Sequence, residues 1–188
     1  QFPNLKEVVY NDFNPLNYNL FKCVQNPSEL LKAVNNIPCQ ERGVSDTPSI
    51  YKEQFNSFQT ELFASGFTIN YPDYNVAAKY AYILTSIFSG SKPETSGFID
   101  LKGNYKSKFL TFRDKLSKPD WVEHFLKITD VENMDFENII KKYANSLDKN
   151  EASILTGHLT VMNGNFSGSE RSVISGRDPI FSINDCLY

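Results

Sequence analysis

The chain has 188 residues, within the usual range for one domain, and at that size a globule buries roughly 70% of the surface its unfolded chain exposes. Fifteen Phe, ten Tyr and one Trp supply ample core material, and a net charge of −3 argues against a protein that coats nucleic acid over its whole surface. Three cysteines, Cys23, Cys39 and Cys186, are too few and too widely spaced for a disulfide-dense scaffold or a zinc site, and at most one bridge can form among them. No run reaches the roughly 18 apolar residues of a membrane span. The sequence opens on Gln1 rather than Met, as a processed or trimmed chain would, and the compartment stays unknown at this level.

Residues 1–25 carry Pro3, Pro15 and several Asn, and read as an irregular N-terminal arm. Asn26, Pro27 and Glu29 then give the pattern of a capping box with proline at the first helical position, which predicts a short helix through Leu30, Leu31 and Val34 to about Asn36. A second helix is predicted from Pro48, because Tyr51, Phe55, Phe58 and Leu62 fall at i, i+4, i+7 and i+11, with Gly66 placed as the left-handed residue beyond the end. Pro72 or Asp73 opens a third, carrying Val76, Ala77, Tyr80, Leu84 and Ile87.

Tyr105, Phe109, Phe112 and Leu116 repeat the same spacing and predict a fourth helix, in preference to a hairpin turning at Gly103-Asn104. A fifth is expected from Pro119 with Trp121, Val122, Phe125 and Leu126 inward, and a sixth among Asp130, Glu132 and Asp135 with Phe136, Ile139, Ile140, Tyr143 and Leu147 buried. A seventh is expected from Asn150 through Ile154, Leu155, His158, Leu159 and Met162, followed by a Gly/Ser-rich loop and docked tail over 164–188. The fold expectation is one all-α domain, a compact bundle of six to seven amphipathic helices, with no internal repeat.

Catalytic motifs are scarce. His124 lies four residues after Asp120, a spacing that could share a metal on one helix face but equally makes an ordinary surface pair. His158-Leu159-Thr160-Val161 has the shape of a His-x-Thr-hydrophobic element, yet His124 supplies no second copy and His158 falls on the apolar stripe. The acids from Asp130 to Glu137 fail as a calcium loop, since Asp135 stands where that loop needs glycine. No Gly-x-Ser-x-Gly elbow, phosphate loop or dinucleotide fingerprint occurs, so no cofactor is implied. Asn165-Phe166-Ser167 is a lone glycosylation triplet.

Charge is more informative. From Leu101 to Lys118 the cations Lys102, Lys106, Lys108, Arg113, Lys115 and Lys118 face Asp114 alone, on a chain that is acidic overall. The expected function is therefore a non-catalytic helical domain, as subunit, inhibitor or adaptor, that meets a protein partner through Lys102, Lys106, Lys108, Arg113 and Lys115. An anionic ligand or membrane surface is a further occupant of that basic face. The alternatives are a small hydrolase or phosphoesterase using His158 or His124, and a carrier of a small apolar ligand inside the bundle.

Overall fold

The computed structural model describes residues 9–40, 50–88, 91–101, 105–120, 130–144 and 155–156. These are mostly helical, with six helices among the described residues and a small parallel sheet. In chain order they are β1 (Val9–Asn11), α1 (Pro15–Val24), α2 (Pro27–Asn35), α3 (Ile50–Leu62), α4 (Tyr74–Thr85), α5 (Lys108–Leu116), β2 (Asp130–Glu132), α6 (Phe136–Ala144) and β3 (Leu155–Thr156). No helix among them is long and apolar enough to cross a membrane.

The stripes of α2, α3 and α4 fold as their spacing predicts. Leu30, Val34, Phe55, Leu62, Ala77, Tyr80 and Ile83 are buried in one core, to which α1 contributes Leu16, Leu20, Phe21 and Val24. The most extensive helix contacts join α1 and α2 to α4. Asp73 caps α4, its Oδ1 accepting from the Asn75 and Val76 N–H groups at 3.0 Å. Gly66 takes φ +81° beyond α3, the left-handed conformation expected of it. α2 starts at Pro27 as predicted but without the capping box: Asn26 makes no side-chain cap bond, and Glu29 instead pairs with Lys32 at 2.6 Å.

Four expectations are corrected. Residues 9–24, read as part of an irregular arm, form β1 and α1. The helix holding Phe109, Phe112 and Leu116 starts at Lys108, because the Ser107 Oγ accepts from the Phe109 N–H at 3.2 Å and caps it there. Tyr105 consequently lies outside the helix and is 76% exposed rather than core. Asp130 to Glu132 form a strand in which Val131 is buried between two half-exposed acids, so the sixth helix starts later, at Phe136, capped by Asp135. Phe136, expected inside, is 47% exposed, whereas Ile139 is buried. Finally, Leu155–Thr156, assigned above to a helix, is a strand paired with β1. The remaining parts of the fifth and seventh helices and the 164–188 tail lie outside the described residues, apart from a helical Pro119–Asp120.

The sheet has the order β2-β1-β3, with both neighbours parallel to the central strand. Val9 and Tyr10, which point to opposite faces of β1, are both buried (7% and 2% exposed), so β1 is covered on each side. Tyr10 stacks on Phe21 of α1 at 3.7 Å between ring centroids, which puts α1 on the Tyr10 face. The Asn11 side chain, on the other face, donates to the Met134 carbonyl and accepts from the Met134 N–H, both at 3.0 Å. The chain entering α6 is thereby fixed to the face opposite α1.

Candidate functional site

Two features meet at the carboxyl end of β1. The first is a turn, Asn11-Asp12-Phe13-Asn14-Pro15, that carries the chain directly from strand to helix. Asn14 is the N-cap of α1, accepting from the Leu16 N–H at 2.9 Å, and Pro15 occupies the first helical position, where its missing donor costs nothing. The second is the carboxyl end of β2, held alongside. The Asp12 N–H donates to the Glu132 carbonyl at 3.1 Å, and the Asn133 amide donates to the Asp12 carbonyl at 2.7 Å. Pairing thus continues past the last assigned strand residue.

Asp12 is the chemical centre of this edge. Only 4% exposed, it is a carboxylate drawn into the protein by three donors. Its Oδ1 accepts from the Asn14 N–H at 2.8 Å; its Oδ2 accepts from the Tyr10 hydroxyl at 2.9 Å and the Asn17 amide at 2.8 Å. Carboxylates enter interiors only when so compensated. These are the donors among the described residues, for the about four acceptor positions that an ionised carboxylate offers. Two large apolar side chains stay open in the adjoining segments: Phe13, 74% exposed, follows Asp12, and Phe136, 47% exposed, begins α6 beyond β2. Asp135, which caps α6, has its pKa held below the ordinary carboxylate value, chiefly by the Asn138 backbone N–H.

The flank of this edge is charged and aromatic. Lys22 of α1 lies 4.0 Å from Asp130 and 5.7 Å from the centre of the Tyr18 ring, and Tyr18 meets Tyr71 edge-on at 4.8 Å. Lys142 of α6 pairs with Glu132, which raises the lysine's pKa. Through Asp130 and Glu132, two residues apart on β2, these contacts link the edge strand to both α1 and α6.

Of the residues singled out from sequence, Lys106, Lys108, Arg113 and Lys115 lie on α5 and the approach to it. Lys106 is engaged by Asp114 at 2.5 Å, which neutralises part of the basic set. Lys108 and Lys115, seven residues apart, share a side of α5, with Lys108 exposed and Arg113 and Lys115 half-buried. Lys102, His124, His158 and Cys186 lie outside the described residues. Cys23 and Cys39 are not bridged to each other; burial pushes the Cys23 thiol up from 9.0 to about 12. Among the described residues no three His, Cys, Asp or Glu side chains gather as a metal-binding group.

Sequence reasoning passed over Asp12, Phe13 and Phe136. The available signal was the short β-branched and aromatic run Val8-Val9-Tyr10 ending on Asn-Asp and followed by Asn-Pro, which is a strand, a turn and a capped helix in eight residues. Comparisons with protein-family models, with curated proteins and with solved structures returned no match.

Proposed function

We propose that the chain binds a small ligand of the nucleoside type, a planar ring carrying a hydroxylated sugar, at the carboxyl end of β1. One observation carries this reading. The helices that follow two adjacent parallel strands leave to opposite faces of the sheet, α1 on the Tyr10 face and α6 from the Asn11 face. In open α/β sheets ligands bind outside the carboxyl ends of the strands where the strand order reverses, which in the order β2-β1-β3 is at β1, on its β3 side. The right-handed rule for crossovers demands the same geometry, because the chain moves one way from β1 to β2 and the other way from β2 to β3.

The residues at this edge suit such a ligand. Asp12 has acceptor capacity for a sugar hydroxyl, and a bond to an ionised acceptor is about twice as strong as a neutral one. Phe13 and Phe136 offer ring faces on which a planar base stacks. The test is calorimetric titration with adenosine and with 2′,3′-dideoxyadenosine. Adenosine binding that weakens on loss of the sugar hydroxyls and on Asp12→Asn supports the reading; equal binding of both nucleosides, or none, overturns it.

A second reading keeps the protein-partner role, with Lys106, Lys108, Arg113 and Lys115 as its contact. It is favoured by the shared side of Lys108 and Lys115 on α5 and weakened by the ion pair that occupies Lys106. Loss of a co-purifying acidic partner on Lys108→Glu together with Lys115→Glu, with the fold intact, is the result it requires.

A further inference from the structure

Asp12 does not hold its position alone. Its Oδ2 is reached by the Asn17 amide nitrogen at 2.8 Å, and the oxygen of the same amide accepts from the Tyr80 hydroxyl at 2.7 Å. Tyr80 belongs to α4 and Asn17 to α1, so the chain of bonds runs from one helix through another to the end of the sheet. All three residues are buried, with Tyr80 at 2%, Asn17 at 8% and Asp12 at 4% exposure.

The amide has only one workable orientation. Turned the other way, the Asn17 oxygen would face the Asp12 carboxylate, acceptor against acceptor, and the Tyr80 hydroxyl would lose its acceptor in a buried setting. Burial raises the Tyr80 pKa, with the Asp12 charge adding to it, so the phenol stays protonated and remains a donor through ordinary pH. Tyr80 thus orients Asn17, and Asn17 presents its N–H to the carboxylate. A second donor to the same oxygen, the Tyr10 hydroxyl, comes from the strand itself. Oδ2 is therefore held by two donors, while Oδ1 takes the single Asn14 N–H.

We infer that Tyr80 and Asn17 are positioning residues for the ligand site: the Tyr80 hydroxyl fixes the Asn17 amide, which fixes the rotamer of Asp12 at the carboxyl end of β1. The inference rests on the nucleoside reading for its ligand, but the orienting chain stands on its own geometry. Packing of α4 against α1 is by this route coupled to binding at an edge that α4 itself does not form.

The control is Tyr82, a neighbour in α4 that is equally buried and whose hydroxyl donates to the Tyr51 carbonyl at 3.2 Å, away from Asp12. Adenosine affinity and the exchange rate of the Asn17 side-chain amide protons, followed by nuclear magnetic resonance, are compared in the wild type, Tyr80→Phe and Tyr82→Phe. Loss of one orienting hydrogen bond is expected to weaken adenosine about five-fold and to speed Asn17 amide exchange about ten-fold in Tyr80→Phe, with Tyr82→Phe unchanged in both. Equal changes in the two variants would reduce Tyr80 to a packing residue and overturn the inference. If adenosine fails to bind the wild type, the ligand reading falls, and amide exchange alone decides the orienting chain: unchanged exchange in Tyr80→Phe overturns it as well.

Discussion

Asn19 offers the sharpest test of how α4 is joined to α1. It is 0% exposed on α1, and its side chain brackets the backbone of Asp73, the residue that caps α4. The amide nitrogen donates to the Asp73 carbonyl at 2.8 Å, and the amide oxygen accepts from the Asp73 N–H at 2.9 Å. In Asn19→Leu, which keeps roughly the volume but neither bond, the Asp73 carbonyl retains the Ala77 N–H at 3.0 Å while the Asp73 N–H loses this side-chain acceptor. A stranded buried donor costs roughly 1–3 kcal/mol and the second bond about 0.5–1.5 kcal/mol, so the variant should lose about 2–4 kcal/mol. With a urea slope of about 2 kcal/mol/M, the unfolding midpoint should fall by about 1–2 M. Urea titration followed by circular dichroism and intrinsic fluorescence reads both midpoint and slope. A variant within about 0.5 kcal/mol of the wild type, the range of ordinary surface changes, would refute the argument that this bracket joins α1 to α4.

Two further outcomes follow from burial. The Cys23 thiol titrates near 9 when unfolded and near 12 when folded, so the folded state holds its proton longer; its contribution is complete below pH 9 and is lost as pH rises from there towards 12. Stability should therefore fall by about 1.4 kcal/mol per pH unit above 9 from this group, and Cys23→Ala should flatten the slope between pH 9 and 10; parallel curves would contradict it. Phe55 and Phe13 should separate folding from binding. Phe55→Ala, at a site with 0% exposure, should cost about 3–5 kcal/mol in chemical denaturation. Phe13→Ala, at 74% exposure, should change stability by less than about 0.5 kcal/mol while weakening adenosine several-fold; a large loss of stability would make Phe13 a core residue instead.

Helical parts were legible where a stripe ran over three or more turns. Tyr51 to Leu62 and Val76 to Ile87 each fix one buried face, and α3 and α4 formed where that face required. α1 was hidden because Asn17 and Asn19 sit on its buried side, where a hydrophobic pattern shows gaps; their burial makes sense only once Asp12, Tyr80 and Asp73 are in place as partners. The strands were illegible for another reason. Two or three residues are too few to display a period of two, and β1 pairs with segments more than a hundred residues away. Tyr105 shows the opposite error, a residue that fits a stripe but lies before the Ser107 cap. The candidate site was missed because it is a product of that long-range pairing: Asp12 is one acid among many until β2 is laid beside it.

The most direct measurement is the affinity of the intact chain for adenosine against 2′,3′-dideoxyadenosine, repeated on Asp12→Asn. Hydrogen bonds to a charged acceptor contribute about 1.5–3 kcal/mol, so removing either the sugar hydroxyls or the charge should weaken binding by about ten-fold or more, and removing both should cost little beyond removing one. Adenosine and its dideoxy form binding alike, with Asp12→Asn indistinguishable from the wild type, would contradict the assignment of the carboxyl end of β1 as a nucleoside site.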